Sequence, residues 1–253
     1  VGWRTYMNKK YYKILSDCKE PKIQLIIFTY AGGMHNSFDF FSKKIHVVNA
    51  KIVFINMPGH DVNQDSLLFN MDDYIDYLLP VLEELLICPT ILLGYSLGGN
   101  VAYRLSVILN NNRYLKRVIL VASTPPSYIR YSSISTASIK KSVSETIKKM
   151  MGDTGIREEE VYSAMMDFYL PIIEADMNMF YSCSKYTEES SLPATVIFAD
   201  QDINVNLKCS LDWCLYYSDV KLIKVPGGHL FIAESDNLSK FIMTIAEEMT
   251  ILQ

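Results

Sequence analysis

The sequence lacks any apolar run long enough to cross a bilayer, and its first ten residues lack the apolar core of a secretory signal peptide. Its five cysteines form no C-x-x-C pair and have no histidines nearby at metal-ligand spacing. We therefore predict reduced thiols, no metal site and a cytoplasmic protein that makes no membrane contact. A Gly-rich phosphate-binding loop in its required setting is also missing, so we expect no cofactor.

An excess of positive charge is missing as well. The chain has 24 Lys and Arg against 28 Asp and Glu, a net charge of −4, so nothing favours sequence-independent binding to nucleic acid, which needs a basic surface. Apolar residues are plentiful, at 49% of 253, and are enough for a large core. This length suits one domain over residues 1–253 with an insertion, and we expect a monomer.

Short apolar runs that are continuous rather than alternating predict parallel strands covered by helices on both faces. The runs are residues 25–28, 52–55, 91–93, 118–121, 196–198 and 222–225. Helical stripes lie between them, including one from Ile75 to Leu86, which Pro80 should kink or break, and a last one from Leu238 to Met249. The alternation predicts an α/β fold with a mostly parallel central sheet flanked by helices.

Residues 124–191 interrupt this alternation, because they contain no convincing strand. Apolar residues repeat there at helical spacing in two sets: Ile139, Val143, Ile147 and Met150, then Val161, Ala164, Met165 and Phe168. A structureless loop of that length does not fit a compact domain, so we predict a helical lid placed over the carboxyl edge of the sheet. Its methionines and aromatics suit a flexible acyl pocket, although packing within the insertion accounts for most of them.

The most informative stretch is Gly94-Tyr95-Ser96-Leu97-Gly98-Gly99, which lies between a predicted strand and a predicted helix. This is the setting of a G-x-S-x-G nucleophile elbow, the strained turn that exposes a serine at the edge of an α/β-hydrolase sheet. The glycines are needed because neighbouring backbones approach closely there. We therefore predict the α/β-hydrolase fold, with Ser96 as the nucleophile.

A serine nucleophile needs a base and an orienting carboxylate, which follow it in that fold in the order acid, then histidine. His229 is the only one of the four histidines that follows Ser96, and it lies directly after the last predicted strand. Two carboxylates, Asp200 and Asp202, follow the strand at 196–198. We choose Asp202 as the acid because it lies further into the loop; the alternative is that Asp200 orients the base while Asp202 caps the next helix.

The oxyanion of an acyl-transfer intermediate needs two backbone donors, one after the nucleophile and one in the loop after the first core strand. These are the amides of Leu97 and Ala31, with Gly32 as an alternative to Ala31. Of the remaining loop histidines, His35 has no evident partner and is interpreted as incidental, and His60 is assigned a structural role in a turn.

Six motifs follow one another along nearly the whole chain: Tyr30-Ala31-Gly32-Gly33, Met57-Pro58-Gly59, Gly94-Tyr95-Ser96-Leu97-Gly98-Gly99, Leu170-Pro171-Ile172-Ile173-Glu174-Ala175-Asp176, Trp213, and Gly227-Gly228-His229-Leu230-Phe231. Together they resemble the signature series of type II thioesterases, the stand-alone editing enzymes of nonribosomal peptide and polyketide assembly lines. The stretch at 170–176 is the most specific, because it lies in the predicted lid, where general hydrolases share little.

The resemblance implies hydrolysis of acyl or aminoacyl thioesters from the phosphopantetheine arm of an acyl or peptidyl carrier protein, which would be the partner. It matches Ser96 to the nucleophile, Asp202 to the acid and His229 to the base. This sequence departs from the family pattern in having Tyr95 where His is frequent and Ala199 where Gly is usual. It also has His60 where a basic residue often follows Pro-Gly, which puts in doubt a carrier contact by that turn.

Three other functions fit parts of the same pattern. A product-releasing thioesterase domain of a synthase, hydrolysing or cyclising a finished chain, would have the same elbow and the same three residues. A general carboxylesterase or lipase would act on oxygen esters without a carrier protein. A non-catalytic binding protein would keep the fold as a ligand pocket, but the presence of all three residues argues against it.

Overall fold

The computed structural model describes residues 10–129, 136–151, 158–233 and 238–253, and its centre is a seven-stranded sheet. The strands are β1 (Tyr12–Ser16), β2 (Ile23–Phe28), β3 (Ala50–Ile55), β4 (Thr90–Tyr95), β5 (Leu115–Val121), β6 (Ala194–Ala199) and β7 (Val220–Val225). Their order across the sheet is β1-β3-β2-β4-β5-β6-β7. All neighbours are parallel except β1, which pairs antiparallel with β3. The predicted mostly parallel sheet is confirmed, and β1 was not predicted.

Helices cover both faces of this sheet. They are α1 (Phe41–Lys44), α2 (Met71–Leu85), α3 (Leu97–Ile108), α4 (Thr136–Met151), α5 (Glu158–Ser182), α6 (Leu207–Leu211) and α7 (Leu238–Ile251). Along β2, Ile26 and Phe28 pack in a core with α2 and α3, whereas Leu25 and Ile27 pack in a second core with α1 and α7. Burial on both faces explains why the strand is apolar throughout rather than at alternate positions.

Helix α2 does not break at Pro80, contrary to one of our two expectations. It begins after Asn70, whose side chain accepts a hydrogen bond from the amide of Asp72, and continues through Pro80 to Leu85. Proline costs an interior helix about 3 kcal/mol. Pro80 is on the exposed side, while Leu78 and Leu82 are fully buried against the sheet. Burial of the opposite face therefore offsets the lost hydrogen bond.

Two helices, α4 and α5, occupy most of residues 124–191 and pack on each other. On α4 the predicted face is the buried one, with Val143 and Ile147 in the contact. On α5 the predicted face was only partly right. Met165 packs on α4, but Ala164 is exposed, Val161 is 47% exposed and Phe168 46%. The other packed residues of α5 are Tyr162, Met166, Tyr169, Leu170 and Ile173. The Met150 side chain lies outside the described part of the chain.

Two further expectations concern cysteines and membrane spans. Cys18, Cys88, Cys183, Cys209 and Cys214 are free thiols. Among the described residues, none of the helices combines the length and apolar character needed to cross a membrane.

A buried carboxylate at the amino ends of the strands provides a test of stability away from the elbow. Glu248 on α7 is 1% exposed and accepts hydrogen bonds from Lys221 Nζ at 2.9 Å and Thr195 Oγ1 at 3.1 Å, and it lies 3.2 Å from Arg117 Nε. Substitution Glu248→Gln leaves the cations of Lys221 and Arg117 without a charged partner. We therefore expect the free energy of unfolding in urea to fall by about 2 kcal/mol.

The half-exposed pair of Lys13 and Asp39 is the matched control, with Nζ and Oδ1 2.6 Å apart. Substitution Asp39→Asn should cost about 0.5 kcal/mol or less, because exposed ion pairs contribute little. Equal losses in the two variants would contradict the assigned difference in burial.

Candidate active site

The turn between β4 and α3 holds Ser96 in a conformation that residues with side chains rarely adopt, with φ 52° and ψ −114°. Close backbone contacts surround this turn. A Cβ on Gly94 would lie 2.0 Å from the carbonyl oxygen of Gly98, and a Cβ on Gly98 would lie 2.2 Å from that of Phe28. The second contact packs the start of α3 against the end of β2, so the loop after β2 begins beside Ser96.

The structure brings the sequence-predicted nucleophile, base and acid together. Ser96 Oγ is 3.0 Å from Nε2 of His229, and Nδ1 of the same ring is 2.7 Å from Oδ2 of Asp202. The Asp202 carboxylate is buried, whereas the imidazole is one-third exposed. These contacts let the imidazole exchange a proton with the serine while the carboxylate holds its other nitrogen.

Asp202 is held in its ionised form. Burial alone would raise the pKa of its carboxyl, but the hydrogen bond from His229 and those from the amides of Val205 and Asn204 hold the pKa below its ordinary value. Asp200 has a different position, because its Oδ1 accepts a hydrogen bond from the amide of Gly227 at 3.2 Å. It therefore ties together the loops that carry Asp202 and His229.

Two supporting contacts could not be read from the sequence. The buried Tyr95 hydroxyl donates to the carbonyl oxygen of His229 at 2.5 Å, across 134 positions of chain. On the other side, Trp213 Nε1 donates to the carbonyl of Ser123, whose own hydroxyl donates to the carbonyl of Ser96 at 2.8 Å. The sequence contained one signal for each side of the site. Tyr95 is adjacent to Ser96, and Trp213 is one of the motif positions.

The two predicted oxyanion donors lie at the start of α3 and in the loop after β2. Leu97 is the first residue of α3, where an amide has no partner within its own helix. In the loop after β2, the amide of Gly33 donates to the carbonyl of Tyr30, and the amide of Gly32 donates to Oδ2 of Asp176 on α5 at 2.6 Å. Gly32 is therefore engaged elsewhere, whereas within the described ranges the amides of Ala31 and Leu97 have no protein acceptor.

Both loop histidines have carboxylate partners. His35, for which we expected none, has Nδ1 2.5 Å from Oδ2 of Asp61. The buried His60 lies in the turn after β3, as its assigned structural role requires, and its Nε2 is 3.1 Å from Oδ2 of Asp176. Spacing along the chain gave no sign of the second contact, which spans 116 positions.

No cluster of three or more His, Cys, Asp or Glu suited to a metal occurs among the residues that the structure describes.

Comparisons with known proteins agree on one family. The family model of the thioesterase domain matches residues 23–249. The AMB antimetabolite synthetase AmbE of Pseudomonas aeruginosa is 25% identical over 231 residues, which are 85% of this chain but only 10% of AmbE, so the chain spans about a tenth of that relative. The probable anguibactin biosynthesis thioesterase AngT of Vibrio anguillarum is 22% identical over 84% of this chain and 87% of its own.

Solved structures share the fold. The type II thioesterase YbtT of the yersiniabactin pathway aligns with a TM-score of 0.78 at 18% identity, over 96% of this chain and 99% of its own. BorB, the type II thioesterase of the borrelidin cluster, aligns with a TM-score of 0.77 at 20% identity, over 94% and 97%. With the family model covering most of its length, the chain belongs to the thioesterase domain family and has the α/β-hydrolase fold of these neighbours.

Proposed function

We propose that this protein is a serine thioesterase that hydrolyses acyl or aminoacyl groups from the phosphopantetheine arm of carrier proteins. Its role is to free carriers of nonribosomal peptide or polyketide synthases from stalled or wrong acyl groups. The observation that carries the proposal is the pair of contacts from His229, to Ser96 on one side and to Asp202 on the other. Family membership supports a thioester substrate, and relatives such as AngT support a biosynthetic setting.

The first half of the reaction acylates Ser96. His229 Nε2 takes the hydroxyl proton as the oxygen attacks the thioester carbonyl, and the Asp202 carboxylate keeps a proton on Nδ1 and stabilises the imidazolium that forms. The amides of Leu97 and Ala31 donate to the oxyanion, while the amide of Gly32 is occupied by Asp176. Collapse of this intermediate breaks the carbon–sulfur bond, and the departing sulfur takes the proton from His229 to give the free carrier thiol.

The second half hydrolyses the acyl-serine ester. His229 removes a proton from water as the water attacks the ester carbonyl, the same two amides stabilise the second oxyanion, and Ser96 recovers its proton. The proposed reaction uses no metal or cofactor. Its only prosthetic group is the phosphopantetheine of the carrier protein.

The helical insertion is proposed as a lid that contacts the acyl group. Helix α5 reaches the loop after β2 at two points, because Asp176 binds the amide of Gly32 and Ile173 occupies the space where a Gly32 side chain would be. The apolar contact of α4 with α5 continues from Ile173 to Val143 and Ile147. This continuity favours an adaptable apolar surface next to the reacting carbonyl.

A second candidate is the product-releasing domain of a synthase, which would hydrolyse or cyclise a finished chain. The match to about a tenth of the AmbE synthetase favours it. Both candidates use the same three residues, so the substrate separates them.

The experiment incubates the protein with carrier proteins that are loaded either with short acyl groups or with long peptidyl chains. Intact-carrier mass and product chromatography should show fast release of the short groups. Cyclic product from the long chains would instead support a release domain.

Removal of the proposed nucleophile tests the mechanism itself. Substitution Ser96→Ala should lower the rate of acyl release by at least about a thousandfold and abolish covalent labelling by a fluorophosphonate, because among the described residues Ser96 has the only hydroxyl within hydrogen-bond distance of the His229 imidazole. The exposed Ser42→Ala is the control and should behave as the wild type. Full activity in Ser96→Ala would rule the mechanism out.

The two carboxylates after β6 form a matched pair. Substitution Asp202→Asn preserves shape but favours the wrong imidazole tautomer, so we expect kcat to fall by about 10³ to 10⁴. Substitution Asp200→Asn changes only a hydrogen bond to the amide of Gly227, and kcat should stay within about threefold of the wild type. Steady-state kinetics on one acyl carrier protein measures both, and the reverse order would assign the acid to Asp200.

A further inference from the structure

A buried histidine and carboxylate join the turn after β3 to helix α5. The side chains of His60 and Asp176 are 2% and 1% exposed, and Nε2 lies 3.1 Å from Oδ2. The other ring nitrogen, Nδ1, lies 3.0 Å from the carbonyl oxygen of Pro58. Since a carbonyl can only accept, Nδ1 carries a proton, and the contact between Nε2 and the carboxylate needs a second one. The two side chains therefore share a proton and remain paired.

The same carboxylate oxygen also binds the loop after β2. Oδ2 of Asp176 accepts the amide of Gly32 at 2.6 Å. That loop is a tight turn, closed by the hydrogen bond from Gly33 to Tyr30 with Gly32 at φ 74°, the arrangement expected of a type II turn. A Cβ on Gly32 would lie 2.4 Å from Cδ1 of Ile173, so the turn is held against α5 by packing as well.

We propose that His60 and Asp176 are positioning residues for the oxyanion donor, an inference that rests on the proposed function. Asp176 holds the peptide between Ala31 and Gly32 in one orientation, and His60 holds Asp176. Rotation of that peptide would move the adjoining Ala31 amide, and donors act on an oxyanion only within about 2.7 to 3.1 Å. Neither side chain touches the substrate. Because Asp176 belongs to α5, the donor is in place only while the proposed lid is seated.

Stability alone is a weak reason for this pair. Removing two ionised groups from water costs several kcal/mol each, and a well-packed apolar pair of similar volume is often as stable. An apolar pair would, however, leave the amide of Gly32 without its acceptor. A double variant, His60→Phe with Asp176→Leu, therefore separates packing from positioning.

The pair also has a predictable pH response. Burial alone would lower the pKa of His60, but the hydrogen bond and charge of Asp176, the carbonyl of Pro58 and the charge of Asp61 raise it above its ordinary value. Asp61 is itself paired with His35, and Tyr74 of α2 faces Asp176. Because the pKa of His60 is raised on folding, the contribution of the pair to the free energy of unfolding is complete below about pH 6.5. It is lost as the pH rises through the pKa of His60 in the folded state. The stability of the wild type relative to the double variant should fall over that range.

The test compares four variants at a temperature where all remain folded. In Asp176→Leu and in the double variant, kcat on an acyl carrier protein should fall about 10- to 100-fold with KM within about twofold, as expected for a displaced oxyanion donor. Asp176→Asn keeps a carbonyl acceptor for the amide of Gly32 and should stay within about threefold of the wild type. Glu248→Gln, which removes a buried paired carboxylate far from the loop, should leave kcat unchanged.

A second readout separates this inference from the proposed function. Fluorophosphonate labelling of Ser96 also needs the oxyanion donors but no thioester. The labelling rate should therefore fall in Asp176→Leu and in the double variant, and should stay near that of the wild type in Asp176→Asn and Glu248→Gln. A wild type that is labelled but releases no acyl group would contradict the proposed function, and the labelling rates would still test the positioning role. Wild-type kcat and labelling in a folded double variant, or an Asp176→Asn variant as slow as Asp176→Leu, would overturn that role.

Discussion

The rest of the site depends on how closely the backbone packs around Ser96. The turn from β4 to α3 can form only because Gly94 and Gly98 have no side chains, since a Cβ on either would overlap a carbonyl oxygen. This packing presses the start of α3 against the end of β2, so the loop that contains Ala31 begins beside Ser96. Ser96 Oγ in this turn lies 3.0 Å from Nε2 of His229, and the amides of Leu97 and Ala31 are the proposed oxyanion donors. The cost of the strained Ser96 conformation is offset by the buried sheet beneath it.

Loops from several strands meet at this point and are tied to one another by hydrogen bonds as well as by the core that Tyr95 and Phe231 share. The Tyr95 hydroxyl fixes the carbonyl of His229, and Asp200 fixes the same loop through the amide of Gly227. On the opposite side, Asp176 connects the insertion with the loop after β2. Such a site can keep its reacting groups constant while the insertion changes the space available to an acyl group.

Much of the architecture was predictable because burial on both sheet faces leaves a continuous apolar signal, and all six predicted strands are present. Strand β1 was missed because it lies at the sheet edge, where Tyr12 is buried but Ile14 is 41% exposed. The face of α5 was partly misjudged, because a helix that contacts both α4 and a loop has no single apolar stripe. The proximity of Ser96, Asp202 and His229 followed from their positions after the carboxyl ends of β4, β6 and β7. Contacts such as that of His60 with Asp176 depend on how distant segments dock, which local patterns do not record.

The central claim is that an acyl group passes from the carrier thiol to Ser96 and then to water. Rapid quenching of the enzyme with an acyl carrier protein, followed by intact mass and peptide mapping, tests it directly. The account predicts a transient mass increase equal to the acyl group, on the peptide that contains Ser96, which forms as the loaded carrier disappears and decays as free acid appears. Loss of acyl groups from the carrier through a resolved time course without acylated Ser96, or with the acyl group on another residue, would contradict it.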